Sequence, residues 1–181
     1  MHDTSDRGAD LAAPGPAEDG DFTFDIRPAW RLADPQIERD AIAYWTRTGL
    51  LPPDVEPADR ARELVAVAYS GDRIIGATTA TVNHYGPLRA RFAFLRGAVD
   101  PAFRRRQVGR TLLQFSRPLL EQWSAAHPEE KVLGLGSIVE GNEFAALRQF
   151  PVSPDGQLVL VGYLDDGRQI RVSWFAHARV E

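Results

Sequence analysis

The chain has 181 residues with 25 acidic and 21 basic side chains, a formal net charge of −4, and 44% apolar residues. These values are close to the averages for globular chains and predict one packed domain of ordinary size. The sequence contains no cysteine, which excludes disulfides, thiolate nucleophiles and iron–sulfur clusters. No segment approaches the roughly 18 consecutive apolar residues of a membrane span, and the acidic N-terminal segment does not resemble a signal peptide, so we expect a cytoplasmic protein.

Residues 1–21 are expected to form a disordered acidic tail. They hold six of the 25 acidic residues, one of the 21 basic residues and few bulky apolar side chains, so they cannot bury enough surface to offset the entropy of ordering. Residues 22–181 retain 19 acidic and 20 basic side chains, and the predicted single domain is therefore nearly neutral. The four histidines are too scattered for a local metal-binding motif, and no metal is expected.

The first half of the domain is predicted to be a strand, one or two helices and two more strands. Alternating apolar residues indicate a strand over residues 22–28. Asp34 and Pro35 are typical of the N-cap and first position of a helix that ends at Gly49, and a short second helix is expected after the proline-rich loop. Two strands over 64–69 and 73–82, joined by Ser-Gly-Asp, predict a hairpin.

The second half continues this pattern. After a predicted loop at 83–88, a strand over 89–99 ends at Asp-Pro, and apolar residues at helical spacing predict a long helix from Gln107 to about Ala126, with Pro118 inside it. An apolar strand at 131–139 and a short helix at 142–150 follow. The segments around the turn Asp-Asp-Gly at 165–167 predict a final hairpin. This element order predicts an α/β sandwich with a mixed sheet.

The most informative segment runs from Phe94 to Leu113, where a strand, a proline turn and three consecutive arginines lead into a helix. The free N–H groups at a helix N-terminus, together with the helix dipole, form an anion site that suits phosphates. Gly109 allows close approach of the backbone, and the arginines add positive charge. Taken alone, residues 104–106 could equally be a solvated turn or a nucleic-acid contact. The surrounding strand, proline and helix favour the phosphate site.

This segment resembles the strand-to-helix motif of the GNAT superfamily of acyl-CoA-dependent N-acetyltransferases. The matching positions are Val99, Pro101, Arg104, Arg106 and Gly109. Gln107 replaces a common glycine, and Thr111 stands where glycine or alanine is usual. The element order also matches over residues 24–175. The resemblance therefore implies a GNAT-like fold, with a mixed, mostly antiparallel central sheet of about seven strands flanked by helices.

The resemblance also implies acetyl-CoA as the co-substrate. Its pyrophosphate is expected on the main-chain N–H groups of residues 107–111, which are Gln107, Val108, Gly109, Arg110 and Thr111, with Arg104 and Arg106 nearby. Its pantetheine arm is expected to pair like an extra strand with the backbone of Ala98 and Val99, at an edge freed by splaying from the strand at 131–139. Asn142, which the family's Asn-x-x-Ala pattern retains here, completes the expected cofactor-binding set.

The residues that move protons are less clearly indicated. Acyl transfer to an amine needs a neutral amine and a proton for the leaving thiolate. The family often places the base on the strand before the motif, but residues 92–99 contain no carboxylate. Glu140, just after the next strand, is the first candidate for the base, followed by Asp100. His84 in the preceding predicted loop is a further candidate, because histidine is the residue type suited to proton transfer near neutral pH.

The usual acid of the family is a tyrosine that follows the Asn-x-x-Ala pattern. Here Gln149 and Phe150 occupy the corresponding positions. Tyr163 is the chosen candidate for the acid, with Tyr85 as the alternative. A third possibility is that the thiolate leaves with solvent help, since a thiol with a pKa near 8–9 departs without a strong acid.

We therefore expect an N-acetyltransferase that acts by direct attack on a primary amine of a small molecule, peptide or protein terminus. The alternative is a non-catalytic acyl-CoA-binding or sensing domain of the same fold. Residues 45–60, 84–88 and the final hairpin would select the acceptor, and acidic residues at 54, 56 and 59 would attract a cationic amine. Neither nucleic acid nor membrane is an expected partner, and an edge strand in the final hairpin would allow a homodimer.

Overall fold

A computed structural model describes residues 22–140, 147–153 and 157–180. The predicted tail at 1–21 lies outside the described residues. The strands are β1 (Asp25–Pro28), β2 (Leu64–Ser70), β3 (Arg73–Tyr85), β4 (Ala90–Val99), β5 (Val132–Ile138), β6 (Val159–Tyr163) and β7 (Gln169–Trp174). The α-helices within the described ranges are α1 (Pro35–Thr48), α2 (Pro57–Ala61) and α3 (Val108–Ala126).

The seven strands form one sheet in the order β1-β2-β3-β4-β5-β7-β6. Strands β4 and β5 are parallel, and every other neighbouring pair is antiparallel. The crossover between the parallel strands contains α3, as a parallel connection requires. The predicted fold class, a mixed and mostly antiparallel sheet of about seven strands flanked by helices, is confirmed.

Helix α1 begins and ends where the sequence indicates. The Asp34 carboxylate accepts hydrogen bonds from the backbone N–H groups of Gln36 and Ile37, which satisfies two donors of the first turn. Gly49 adopts a left-handed conformation with φ of 62° and donates its N–H to the carbonyl of Trp45. The buried face of the helix packs against β2 and β3 and comprises Ile37, Ala41, Tyr44 and Trp45.

Helix α3 covers the opposite face of the sheet. Val108 and Leu112 pack against small residues of β2, and the Ser116 hydroxyl hydrogen-bonds to the Thr78 hydroxyl at 2.8 Å. A Cβ atom at Gly76 would lie 3.0 Å from the Leu112 side chain, so glycine at this position allows the helix to approach the sheet closely. The helix continues through Pro118.

The structure corrects the predicted loop at 83–88, which was expected to contain His84 and Tyr85. Both residues belong to β3, where they pair with Arg91 and Ala90 of β4, and only residues 86–88 form a 3₁₀ turn. The Tyr85 hydroxyl donates to the carbonyl of Val161 at 3.2 Å. This contact joins the end of β3 to a residue 76 positions later in the chain. No local sequence pattern predicts it.

The predicted helix at 142–150 falls largely outside the described residues, which resume at 147. Residues Leu147–Gln149 form a 3₁₀ turn. The following segment lies alongside β6, where Leu160 donates its N–H to the carbonyl of Pro151 at 2.8 Å. The outer edge of β6 is thus partly covered by the chain itself.

Candidate functional site

The site lies where β4 separates from β5. The two strands are paired only from Arg91 to Phe94, whereas β4 stays paired with β3 as far as Val99. Residues 95–99, the open half of β4, therefore present backbone groups that β5 does not use. Arg96 and Gly97 are exposed although β4 is the central strand of the sheet. This splaying confirms the free edge that the sequence motif predicts.

The chain continues from the open half of β4 into the N-terminus of α3. The N–H groups of Val108, Gly109 and Arg110 have no carbonyl four residues earlier within the helix, and the first intrahelical bond runs from Thr111 N–H to the Gln107 carbonyl at 3.0 Å. Within the described residues, the Gln107 side chain makes no capping hydrogen bond to these donors. The donors thus remain available to an anion, and the helix dipole favours negative charge at this end.

Two residues of the connecting loop adopt left-handed backbone conformations. Arg105 has φ of 68° and Gln107 has φ of 63°. Glycine adopts this conformation without a steric penalty, whereas other residues pay for it. The geometry explains why a glycine is common at the position of Gln107 in the family motif.

A surface cavity of about 390 Å³ lies against this helix N-terminus. It is lined by Val99, Phe103, Arg104, Arg105, Gln107, Val108, Gly109 and Arg110. Six of the predicted cofactor-binding residues are therefore brought together here. Arg105 also lines the cavity, although the sequence motif did not single it out; the signal was its place in the arginine run. The lining contains three arginines and no acidic residue.

Three other predicted cofactor residues lie beside this cavity rather than in its lining. The Arg106 guanidinium carbon lies 4.8 Å from the centre of the Phe22 ring. The Thr111 hydroxyl donates to the Gln107 carbonyl at 3.0 Å, so it is occupied within the helix. Ala98 is half-buried on the open half of β4, opposite Ala77 of β3. Asn142 lies outside the described residues.

Asp100 connects the end of β4 to two other elements. Its carboxylate accepts hydrogen bonds from the N–H of Ala102 at 3.0 Å, from Arg73 at 3.3 Å and from Arg47 at 3.5 Å. Burial raises the pKa of Asp100, but these hydrogen bonds and the arginine charges outweigh burial, and the pKa lies below its ordinary value. A carboxylate held ionised by two arginines is a weak base, which argues against Asp100 as the general base.

Glu140 and Tyr163 lie at the same end of the sheet as the open half of β4. Glu140 follows β5, and because β5 is parallel to β4, their carboxyl ends meet at one edge. Its exposed carboxylate accepts a hydrogen bond from Arg168 at 2.7 Å. Tyr163 ends β6 opposite Gln169 and is 61% exposed. No contact between Glu140 and Tyr163 is recorded in the described part of the chain.

The model of the acetyltransferase (GNAT) family matches residues 27–129, more than half of the chain. The chain belongs to the GNAT acetyltransferase family. The matched region extends from β1 to the end of α3 and so contains the open half of β4 and the arginine-lined cavity. The recognition made from the sequence motif is confirmed, and the GNAT domain is that of an acyltransferase.

Solved structures share the GNAT fold at low sequence identity. A GNAT acetyltransferase from Streptococcus pneumoniae is 15% identical with a TM-score of 0.52, and the match covers 83% of this chain and 96% of that chain. The loading GNATL domain of CurA from Lyngbya majuscula is 13% identical with a TM-score of 0.55, and the match covers 86% of this chain and 99% of that chain. AtaTR bound with acetyl-CoA is 12% identical with a TM-score of 0.54, and the match covers 82% of this chain and 92% of that chain. A sequence search among curated proteins finds no significant match.

Two further properties of this GNAT domain follow from the described ranges. None of the helices there is long and apolar enough to cross a membrane. No group of three or more histidine, aspartate and glutamate side chains that could hold a metal ion occurs in the same ranges. The polar groups concentrated at the site are instead arginines and backbone N–H groups.

Proposed function

We propose that this protein transfers an acetyl group from acetyl-CoA to a primary amine by direct attack of the amine. The observation that carries the proposal is the junction of two features at one sheet edge: the open half of β4 and the arginine-lined cavity at the N-terminus of α3. The AtaTR structure, which has a similar fold, contains acetyl-CoA and supports the same co-substrate here. A cytoplasmic location stays a prediction.

The residues present fit the two chemical parts of acetyl-CoA. Its pyrophosphate requires donors and positive charge, which the N–H groups of residues 108–110 and the side chains of Arg104 and Arg105 supply. Its pantetheine arm carries amides, which the backbone of Ala98 and Val99 would hold like a neighbouring strand. Arg106 and Thr111 would support the loop from behind, because their side chains contact Phe22 and Gln107 respectively.

In the proposed reaction the amine nitrogen attacks the thioester carbonyl carbon, a C–N bond forms and the C–S bond breaks. The amine loses a proton and the leaving thiolate gains one. We assign the base to Glu140 and the acid to Tyr163, since both lie at the open edge of the sheet. Glu140 is exposed, and the hydrogen bond from Arg168 holds its carboxylate at this end of the sheet. The Tyr85 hydroxyl already donates to Val161, which makes it the weaker candidate for the acid.

Binding is tested by thermal unfolding with acetyl-CoA, CoA and dephospho-CoA. A ligand at 100 times its dissociation constant stabilises the folded state by about 2.7 kcal/mol, which corresponds to roughly 5–10 °C for a chain of this size. Gly109→Trp would fill the cavity and abolish the shift, whereas Gly86→Ala, in open space far from the motif, would keep it. No shift for the wild-type protein at millimolar acetyl-CoA would refute the proposed co-substrate.

Turnover is tested by following thiol release against a panel of amines. Binding without turnover of any amine would favour the non-catalytic acyl-CoA-binding alternative. For the assigned roles, Glu140→Gln and Tyr163→Phe should each lower kcat by about 10²-fold or more with acetyl-CoA binding retained. An unchanged rate in both variants would refute these two roles and leave the transferase proposal intact.

A further inference from the structure

Arg96, in the open half of β4, and Thr79 of β3 form a polar pair on one face of the sheet. They are directly opposite each other in the continuous β3–β4 register. Leu95 and Val99 pack toward α3, so by strand alternation Arg96 lies on the other face of the sheet. Thr78 likewise bonds to Ser116 of α3, which places Thr79 on the same face as Arg96. Side chains opposite each other on one face have Cβ atoms about 5 Å apart.

Neither side chain of the pair is engaged within the described residues. No hydrogen bond or ion pair is recorded there for the Arg96 guanidinium or the Thr79 hydroxyl. Thr79 is mostly buried, with 5% of its surface exposed. Arginines at the beginning of β4 and of β3 are paired, Arg91 with Glu130 and Arg73 with Asp100.

The position of Arg96 separates it from the phosphate-binding end of the site. Arg96 precedes Val99 by three positions along the strand, about 10 Å at roughly 3.3 Å per residue, and the α3 N-terminus lies beyond Val99. Arg104 and Arg105 already supply positive charge at that end. Arg96 thus adds a separate cation farther along the free edge, toward Phe94, where the strands join.

A free guanidinium at this point determines which amines are compatible with the site. A polyamine or other polycation would be repelled, because Arg96 has no carboxylate partner in the described part of the chain. The Glu63 carboxylate is already bound by Arg60 at 2.7 Å, and Asp59 of α2 is bound by Arg62 at 2.8 Å. Guanidinium binds carboxylates in a planar, two-pronged geometry.

We propose that the acceptor is a primary amine that also carries a carboxylate, and that Arg96 binds this carboxylate with help from the Thr79 hydroxyl. The acceptor class is thus amino acids and related amino carboxylates. The preference in turnover that follows from this inference rests on the proposed transferase function. Its binding consequence, selective affinity for carboxylates at Arg96, is independent of turnover.

The kinetic test compares a panel of amino acids with the corresponding amino acid amides, which keep the amine and the side chain but lose the negative charge. The wild-type protein should prefer at least one acid over its amide in kcat/KM by about tenfold or more, the effect of one charge-assisted hydrogen bond. Arg96→Gln should remove this preference and leave amide turnover nearly unchanged. Arg39→Gln, an exposed arginine on α1, is the matched control and should retain the preference. Thr79→Val should reduce it less than Arg96→Gln, and Thr79→Ser should preserve it.

The binding test uses CoA-saturated protein and titrates N-acetylated amino acids against their amides by calorimetry. Selective, Arg96-dependent binding of the acids without turnover of any amine would support the inference and refute the transferase proposal. Turnover with equal or better use of amides or polyamines would overturn the inference and keep the transferase. Equal binding of acids and amides, or a preference for phosphoethanolamine over every amino acid, would also overturn it.

Discussion

The ring of Phe94 lies across Gly136 at the last register position that β4 and β5 share. A Cβ atom at Gly136 would lie 2.7 Å from two atoms of the Phe94 ring, so only glycine allows this contact without a shift. Beyond this pair β4 is no longer bonded to β5. The ring and the glycine thus occupy the point at which the sheet divides to form the site.

We therefore expect Gly136→Ala to disturb the division of the sheet. Displacing the ring should cost about 1–3 kcal/mol of unfolding free energy, the usual effect of overpacking, and should weaken acetyl-CoA binding. Thermal unfolding with and without the ligand measures both effects. Gly86→Ala is the matched control, because a Cβ there meets nothing within 4 Å. Equal melting temperatures for the two variants would contradict the role of the Phe94–Gly136 contact.

The left-handed backbone at Gln107 predicts opposite effects for two substitutions. Gln107→Gly removes a steric cost and should raise the melting temperature slightly, since the gain of about 1–2 kcal/mol is partly offset by the entropy of glycine. Gln107→Val, which is β-branched, should lower it. Thermal unfolding of the wild-type protein and the two variants measures these effects. A valine variant more stable than the wild-type protein would show that φ of 63° at residue 107 is not maintained in solution.

Asp100 predicts a pH-dependent contribution to stability. The pKa of Asp100 is lowered in the folded protein, so its contribution is present above the unfolded value of about 4 and is lost as the pH falls through the folded value. Asp100→Asn should cost about 1–3 kcal/mol at neutral pH, and the difference from the wild-type protein should shrink below about pH 4. Denaturant unfolding at several pH values measures it. Asp54→Asn, at an exposed loop position, should show no such difference.

The buried Arg171 should not tolerate lysine. Its guanidinium donates to the Gln169 side chain at 2.9 Å and to the Phe150 carbonyl at 2.6 Å, and burial lowers the pKa of Arg171. A lysine ammonium cannot reproduce this fork, so Arg171→Lys should lose about 1–3 kcal/mol. Arg168→Lys, on the exposed turn of the same hairpin, should lose no more than about 1 kcal/mol. Comparable losses measured by denaturant unfolding would refute a special role for Arg171.

Local patterns identified most elements of the fold. The Asp34 cap, the left-handed Gly49 and the turn at 70–72 all lie where the sequence indicates, because each depends on interactions within a few residues. The strand-to-helix motif also indicated the candidate cofactor site, since one continuous segment supplies the open half of β4, the arginines and the N-terminus of α3.

Contacts between distant segments were not predictable in this way. Strand β3 extends to Tyr85, whose hydroxyl donates a hydrogen bond to the carbonyl of the distant Val161. The buried Arg171 donates to the carbonyl of Phe150, which belongs to another segment. The pairing of Glu140 with Arg168 likewise joins two chain segments that no local pattern relates. These features could be identified only in the folded structure, because each interaction joins groups that are far apart in sequence.

The sequence by itself thus determined the family, the fold class and the loop that we propose to bind phosphate, because each depends on residue spacing and backbone preferences within short segments. Only the tertiary structure decided that Asp100 lies against two arginines and that Arg96 and Thr79 lie opposite each other on one face of the sheet. The physical reason is that the charge and hydrogen-bonding state of a side chain depend on its neighbours in space, which register and packing select.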